Sequence, residues 1–389
     1  MEIFRRTFAE INLENLEHNF NLLKLIAGEN RFLCPMVKAN AYGHGDIQVA
    51  QYLENIGSSH LGVCLIEEGL LLRNHYIKSD ILVFRGFDKE GAQKIYDAQL
   101  TPIVSTWEQL KYLESVVDDK IKIHLKFDTG MNRLGFPIEE VEKLRNYFRQ
   151  SKKLKLKAIL SHFYQGEDAH IENGHSHNQA LKMQQVYDFF RNDDVYVHLL
   201  NSGGIASFSK PEVQANRKHY LHNINWGFRP GLMLYGYMPD SQFTHLNLKP
   251  VMTFKSVVNN IRLVRKGESV SYGASWKASK DSIVAVVPVG YADGVHRVLS
   301  NVGCVLFAGQ RAPIVGRICM DFLMIDVTHI VSPDKINSYN EEEVILFGFD
   351  QKNNFLSAEV NAQAMQSITW EILTSVGERV PRHFKGVIS

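Results

Sequence analysis

One lysine, Lys38, stands at the end of an apolar run and is the strongest candidate for a reacting group in this chain. It lies in the segment Pro35–Gly45, which reads PMVKANAYGHG and places Tyr42 and two glycines directly behind the amine. An amine at the mouth of a buried strand is partly desolvated, which can make it a nucleophile or a base. The hydroxyl and the glycine backbone would suit an anion or a phosphate. Taken alone, these residues also fit a surface lysine just past a core strand.

Length and composition are those of an ordinary globular protein and exclude several classes. The 389 residues are 45% hydrophobic and 22% charged, with a formal net charge of +1. This charge gives no reason to expect nucleic acid or an anionic membrane as a partner. We find no run of about 18 apolar residues and no signal-peptide core at the start, so we expect a cytoplasmic protein. Four cysteines without close paired spacing fit a reducing compartment.

Residues 1–240 alternate between short apolar runs and amphipathic helical patterns. Eight runs predict strands: Leu33–Val37, Leu61–Leu65, Ile81–Phe84, Pro102–Val104, Ile121–Phe127, Leu156–His162, Val195–Leu200 and Ile224–Arg229. Eight strands, each followed by a helix, predict an N-terminal (β/α)8 barrel. A doubly wound open sheet would also accommodate eight strands and is the alternative.

The pattern changes after about residue 240, at the polar stretch Pro239–Asn247. Beyond it, β-rich runs are separated by glycine turns such as Lys266–Glu268 and Ala308–Gln310. We therefore predict a C-terminal all-β domain over residues 241–389. The segment Met1–Ile11 could pair with this β-domain rather than with the barrel.

Polar residues follow several predicted barrel strands at their carboxyl ends, where barrel enzymes carry their active sites. They are Lys38 after the first strand, Lys126 and Arg133 around the end of the fifth, His162 at the sixth, Asn201–Gly204 after the seventh and Arg229–Gly231 after the eighth. The last two turns offer a hydroxyl and free N–H groups where barrels bind phosphate. A lysine near a phosphate cradle suggests a Schiff-base cofactor, and pyridoxal 5′-phosphate is the obvious one.

Each of these residues also has a structural explanation. Arg229 could be an ion-pair partner, His162 a satisfied core histidine, and Ser202 a helix cap. Lys126 alternates with Lys122 and His124 in one strand. If Lys126 points inward it needs a partner or a modification, and otherwise it belongs to a solvated face.

Six short motifs follow one another along nearly the whole chain. They are Val37–Gly45 (VKANAYGHG), Asp128–Gly135 (DTGMNRLG), Arg229–Gly231 (RPG), Ser271–Ala274 (SYGA), Val289–Gly294 (VGYADG) and Val315–Asp321 (VGRICMD). In this order they make the chain resemble an alanine racemase of the type that pairs a barrel with a β-domain, although any one motif would be weak by itself.

The resemblance implies pyridoxal phosphate bonded to Lys38, which would also act as a base on one face of the substrate. Tyr272, supplied by a partner subunit, would be the base on the other face, so a homodimer with composite sites follows. By the same resemblance, the phosphate would be held by Tyr42, Ser202, Gly231 and Leu232, and Arg229 would face the pyridine nitrogen with His162 behind it. Arg133, steadied by a carbamylated Lys126, would contact the cofactor and the substrate. Met320 and Asp321 would lie at the substrate carboxylate, and Tyr291 would narrow the entry.

The implied activity is interconversion of L- and D-alanine, which supplies D-alanine for peptidoglycan. One position departs from the family pattern, because Glu378 stands where many such racemases have a tyrosine. A broader racemase acting on serine, lysine or arginine is therefore the first alternative, followed by a basic-amino-acid decarboxylase and a cofactor-carrier protein. The histidine-rich stretch of residues 162–177 invites a metal site, but its spacing favours a surface loop, and we predict no metal.

Overall fold

The computed structural model describes residues 5–29 and 31–386, which form two compact units. The barrel unit comprises Asn15–Ala41 and Asp46–Lys249. The β-unit comprises the described residues up to Glu14, the short segment Tyr42–Gly45 and the described residues from Pro250 onward.

The strands, in chain order, are β1 (Phe8–Asn12), β2 (His60–Val63), β3 (Asp80–Val83), β4 (Thr101–Val104), β5 (Ile121–Lys126), β6 (Leu154–Leu160), β7 (Tyr196–Leu200), β8 (Gly227–Phe228), β9 (Met252–Val257), β10 (Asn260–Val264), β11 (Ser269–Val270), β12 (Trp276–Lys277), β13 (Ser282–Val287), β14 (Cys304–Phe307), β15 (Gln310–Pro313), β16 (Leu323–Asp326), β17 (Glu343–Phe349), β18 (Phe355–Leu356) and β19 (Arg382–Lys385). The right-handed α-helices are α1 (Leu13–Ala27), α2 (Asp46–Asn55), α3 (Ile66–Asn74), α4 (Lys89–Asp97), α5 (Trp107–Val116), α6 (Val141–Gln150), α7 (His175–Phe190), α8 (Ser202–Phe208), α9 (Pro211–Ala215), α10 (Ala358–Ala364) and α11 (Thr369–Thr374). Short 3-10 turns lie at Gly166–Asp168 and Leu232–Tyr235 in the barrel unit, and at Tyr272–Ala274 and Tyr291–Asp293 in the β-unit.

The sheet of the barrel unit is parallel, and its strands lie in sequence order from β2 to β8. The segment around Pro35 closes it, because Leu33 bridges Phe228 at one edge and Met36 bridges Gly62 at the other. The predicted barrel is confirmed, and the doubly wound alternative is wrong, because such a sheet reverses its strand order.

The predicted first strand, Leu33–Val37, makes single bridges rather than a ladder. Backbone bonds run from the Cys34 N–H to the Phe228 carbonyl (2.9 Å) and from the Val37 N–H to the Gly62 carbonyl (2.8 Å). Pro35 interrupts the ladder because it has no N–H to donate. The segment therefore fills the gap between β8 and β2 and closes the barrel, but it does not form a regular strand.

Lys38 is followed by a left-handed helical turn. Ala39, Asn40, Ala41 and Tyr42 all have φ between 51° and 55°. A run of non-glycine residues in this region is unfavourable by roughly 1–2 kcal/mol per residue, so the surrounding structure must impose it. Two side chains hold it: Glu68 Oε1 accepts from the Ala39 N–H (2.7 Å), and Asn40 Oδ1 accepts from the Asp46 N–H (3.0 Å).

The β-unit is built on a mixed sheet with the order β15-β14-β17-β9-β1-β19, joined by β18 beside β17. The N-terminal strand β1 pairs parallel with β19 and antiparallel with β9. A second sheet, β10-β13-β16, packs a core that includes Val284, Val315 and Met324. Within the described part of the chain, no helix has the length and apolar character needed to cross a membrane.

Candidate active site

The carboxyl end of the barrel holds the buried guanidinium of Arg229, which follows β8. Its Nη1 donates to His198 Nδ1 (2.8 Å), and its Nη2 donates to His162 Nδ1 (3.0 Å) and to the Ser161 carbonyl (2.7 Å). Arg229 has five N–H donors. Within residues 5–29 and 31–386, its Nε–H and second Nη1 hydrogen have no partner, so this buried cation retains donors for a ligand.

The histidines around Arg229 can be assigned a tautomer from these bonds. A guanidinium only donates, so Nδ1 of both His162 and His198 must be unprotonated. Burial, with the Arg229 charge nearby, lowers the pKa of each well below the ordinary value, so both rings are neutral. Each therefore carries its proton on Nε2. From His198 that proton points at His124 Nδ1, 3.0 Å away.

Lys126, at the end of β5, is an almost fully buried amine without a carboxylate in ion-pair distance among the described residues. Burial, with the charges of Arg229 and Arg133, lowers the pKa of Lys126 to about 8. The charges of Lys126, Arg133 and Lys38 also contribute to the lowered pKa of His162, so these three groups lie near it. The barrel thus gathers four cations at one end, and such a cluster requires anions.

Arg133 is carried by a tight loop that returns to the strand bearing Lys126. The Phe136 N–H donates to the Lys126 carbonyl (2.8 Å), and Asp128 Oδ1 accepts from the N–H groups of Gly130 (2.8 Å) and Asn132 (3.1 Å). A side chain at Gly135 would come within 2.5 Å of the Asp128 nitrogen, so glycine is required there. The Arg133 guanidinium itself is exposed and unpaired within the described barrel residues.

The turn after β7 forms a cradle of donors. Asn201, not Ser202, caps helix α8, and its Oδ1 accepts from the Gly204 N–H (3.0 Å). The Ser202 hydroxyl accepts from the Gly231 N–H (3.1 Å), which brings together the two turns predicted to bind phosphate. The first N–H groups of a helix have no intrahelical partner, so this end suits a phosphate.

The β-unit presents the other predicted residues on its surface. Tyr272 is 71% exposed, Met320 53% and Tyr291 43%. The loops carrying Tyr291 and Met320 are joined, because the Tyr291 N–H donates to the Cys319 carbonyl (3.0 Å). Exposed large apolar side chains of this kind are typical of a surface that contacts another molecule.

Asp321, beside Met320, is held by ion pairs that the sequence did not reveal. It accepts from Arg379 Nη2 (2.6 Å), and Arg379 Nε donates to the fully buried Asp293 (2.6 Å). Arg5 Nη1 also donates to Asp293 (2.6 Å). Glu378, where a tyrosine was expected from the family pattern, is exposed.

The remaining predicted residues are placed as follows. Lys38 is half-buried and has no ion pair within the part of the chain that the structure describes. Tyr42 is buried, and its carbonyl lies 2.9 Å from His44 Nδ1. Gly231 precedes the 3-10 turn that begins at Leu232.

The histidine-rich stretch is only partly a loop, because α7 begins at His175 and includes His177. The described residues contain no group of three or more potential metal ligands there or elsewhere. His124 and His198 were the important omissions from the site prediction. The sequence feature that could have indicated them is a histidine within each of two predicted barrel strands, β5 and β7.

A parallel barrel with a donor-rich cation cluster at its carboxyl end, in which Lys126 and Arg229 are buried, followed by a β-unit, defines a barrel enzyme built to bind an anionic cofactor or substrate. Residues 11–239 match the family described as "Alanine racemase, N-terminal domain", and residues 251–384 match "Alanine racemase, C-terminal domain". The chain belongs to the alanine racemase family, whose members are isomerases that generally supply D-alanine for peptidoglycan.

Individual alanine racemases match this chain over nearly its whole length. The chain is 34% identical to the alanine racemase of Geobacter sulfurreducens over 387 residues, which is 97% of each protein. The alanine racemase structure from Clostridium difficile 630 superposes with a TM-score of 0.86 at 28% identity, covering 99% of this chain and 97% of that one. The structure from Bartonella henselae, described as having covalently bound pyridoxal phosphate, gives 0.83 at 29% identity, covering 98% and 99%.

Proposed function

We propose that this protein interconverts L- and D-alanine with pyridoxal 5′-phosphate and two bases, Lys38 and Tyr272. Racemisation needs a proton removed from one face of the α-carbon and returned on the other, hence two bases on opposite sides. The Lys38 amine would exchange the proton on the D-face. The Tyr272 phenol of a second subunit would exchange it on the L-face, and its exposure in the single chain supports this assignment.

The buried Arg229, with donors left over, is the observation that carries the proposal. Bound pyridoxal phosphate would make the substrate's α-hydrogen acidic by withdrawing electrons. Burial lowers the pKa of Arg229 to about 10, so the guanidinium still holds its proton at neutral pH. It would donate a hydrogen bond to the pyridine nitrogen without transferring the proton. An unprotonated ring withdraws electrons less strongly, which disfavours side reactions such as transamination.

His162 would connect Arg229 to the second base. Because its Nδ1 accepts from Arg229, its proton lies on Nε2 and can only be donated. A donor of this kind stabilises the Tyr272 oxygen while that oxygen carries charge. The resemblance implies that His162 is linked toward Tyr272, and a proton on Nε2 is what such a link requires.

The donor cradle supports a phosphate at the turns after β7 and β8. The Ser202 hydroxyl and the backbone at Gly231 and Leu232 would bind it, with Tyr42 contributing its phenol. Lys38 would carry the cofactor's aldehyde carbon.

Arg133 would contact the cofactor and the substrate carboxylate, and a carbamylated Lys126 would hold Arg133 in place. Only a neutral amine reacts with CO2, and the lowered pKa of Lys126 makes about a tenth of it neutral at pH 7. A carbamate would turn the buried cation into an anion that holds Arg133 through charge-assisted bonds. The Met320 backbone N–H of the second subunit, with Asp321 beside it, would bind the same carboxylate, and Tyr291 would narrow the entry.

The decisive experiment combines activity with chemical labelling. Purified protein loaded with pyridoxal phosphate should racemise L-alanine, and borohydride should fix the cofactor to the peptide containing Lys38. The matched control is Lys122→Ala, which removes an exposed lysine of the same barrel. Colourless protein that leaves alanine enantiomers unchanged would refute the proposal.

Glu378 supports one alternative, a racemase with a broader substrate range. A carboxylate at this exposed position could favour cationic side chains. Turnover of L-alanine, L-serine and L-lysine by the same preparation distinguishes the two. Alanine preferred by about tenfold or more would favour the narrower function.

A further inference from the structure

The hydrogen bonds of Arg229 continue into the barrel beyond the groups that would touch the cofactor. Arg229 donates to His198, and His198 lies 3.0 Å from His124. Both imidazoles are completely or almost completely buried, on strands β7 and β5, which lie on either side of β6 in the same unit. Neither histidine has a task in the proposed reaction itself.

We propose that His124 is a positioning residue for Arg229: it accepts the hydrogen bond that keeps the proton of His198 on Nε2, so that His198 Nδ1 remains an acceptor. This inference rests on the proposed function, because that function gives the orientation of Arg229 its purpose. His124 therefore acts on the reaction through two successive hydrogen bonds.

The direction of the bonds follows from what each group can do. Arg229 has no acceptor, so a proton on His198 Nδ1 would bring two donors face to face at 2.8 Å. With the proton on Nε2, His198 needs an acceptor on its far side, and His124 Nδ1 provides it. Burial lowers the pKa of His124 to about 3, so its Nδ1 lone pair is available throughout the neutral range.

Packing keeps the imidazole of His198 from turning away. The Phe32 ring stacks on it at a centroid distance of 4.6 Å and an angle of 30°. On strand β8, a Cβ at Gly227 would lie 2.7 Å from the His198 Cβ, so only glycine leaves room for this ring. A lost acceptor at position 124 therefore cannot be replaced by a simple rotation of His198.

The competing explanation is that the histidine pair only fills space in the barrel. Two variants separate the explanations. His124→Asn places an amide oxygen near the position of Nδ1 and retains an acceptor, whereas His124→Leu retains bulk without an acceptor. A space-filling role predicts that Leu is tolerated at least as well as Asn.

The test measures kcat and KM for L-alanine, the visible absorption spectrum of the bound cofactor, and its dissociation constant. For His124→Leu we expect kcat to fall about tenfold with little change in KM, together with an altered cofactor spectrum. For His124→Asn we expect both properties to return to within about twofold of the parent. Equal impairment of the two variants, or no effect of Leu, would overturn the proposal.

A measurement on the unmodified holoenzyme decides the matter if His124→Leu does not fold. In protein labelled with 15N-histidine, the signals of His198 and His124 are identified by their loss in His198→Gln and His124→Asn. We expect an Nε2–H tautomer for His198, an unprotonated Nδ1 on His124, and a nitrogen–nitrogen coupling across the hydrogen bond between them. An Nδ1–H tautomer on either ring, or no such coupling, would contradict the inference. This readout needs no catalysis, so an inactive enzyme would refute the proposed function without deciding the tautomer.

Discussion

At the scale of single residues, the site depends on cations kept in unusual surroundings. Arg229 remains charged although it is buried, and its acceptors are two neutral histidines and backbone carbonyls rather than a carboxylate. A carboxylate partner would neutralise the guanidinium. Neutral acceptors orient it while leaving its positive charge for a ligand.

Arg229→Lys should lower kcat by about ten- to a hundredfold, because an ammonium cannot make the fork of bonds to both histidines. Arg229→Glu should increase long-wavelength absorbance during turnover, since a protonatable partner would allow the ring nitrogen to gain a proton. Stopped-flow spectra check both expectations.

The control is Arg73→Lys, which changes a half-buried arginine elsewhere in the barrel and should leave the cofactor spectrum unchanged. An unchanged spectrum in Arg229→Glu would contradict our account of the ring nitrogen.

Lys126 should carry a carbamate whose occupancy depends on pH. The neutral fraction of the amine rises as pH increases through about 8, so at fixed dissolved CO2 the carbamate should increase between about pH 6 and pH 9. Protein equilibrated with 13C-labelled bicarbonate should show a carbamate resonance that is absent in Lys126→Ala. The signal should persist in Lys122→Ala. A signal that weakens as pH rises would have the wrong sign for this mechanism.

At the scale of elements, the turn between Lys38 and α2 stores backbone strain beside the proposed nucleophile. Four successive non-glycine residues adopt left-handed φ values there. Such strain persists only where neighbouring bonds over-determine the conformation, here those from Glu68 and Asn40. The turn fixes the direction in which the chain leaves Lys38.

Ala39 is exposed, so substitutions at this position test backbone strain without changing the packing of the core. Ala39→Val should lower the free energy of unfolding by about 1–2 kcal/mol, because a β-branched side chain is disfavoured at positive φ. Ala39→Gly should be neutral or slightly stabilising, since glycine tolerates this region. Denaturant unfolding of the two variants measures the difference. Equal stability of Val and Gly would show that the left-handed turn is absent in solution.

At the scale of the whole molecule, the proposed site needs two chains. The barrel unit carries the residues proposed to bind the cofactor except Tyr42, and the β-unit exposes Tyr272, Tyr291 and Met320 on its surface. The ion pairs of Asp293 with Arg5 and Arg379 hold that surface together and extend to Asp321. In a homodimer, each β-unit would complete the site of the partner.

Complementation tests this arrangement directly. Lys38→Ala and Tyr272→Phe should each be inactive alone. Co-expressed in equal amounts, they should regain about a quarter of parental activity, because half of the dimers would be mixed and each would contain one intact site. No recovery, despite mixed dimers detected by mass, would show that both bases come from the same chain.

The sequence alone predicted the barrel and a set of candidate polar residues at its carboxyl end, because strand periodicity is local and the position of barrel active sites follows from topology. It left Lys126 open between an inward position and a solvated face, and the structure shows that Lys126 is buried. It did not predict that the segment around Pro35 makes single bridges instead of a regular strand. That outcome depends on the backbone partners of Leu33 and Met36 in β8 and β2, which are far away in the sequence. The left-handed turn after Lys38 was equally invisible, because nothing in Ala-Asn-Ala favours positive φ strongly.

Tertiary structure alone decided the electrostatics and the hydrogen-bond directions. The lowered pKa of Lys126 arises from burial first and then from the charges of Arg229, which follows a distant strand, and of Arg133, which the loop after β5 brings back. The tautomers of His162 and His198 follow from their shared donor, Arg229, which is 67 and 31 residues away along the chain. Residue types are written in the sequence, whereas desolvation and the facing of donor to acceptor exist only once distant strands lie side by side.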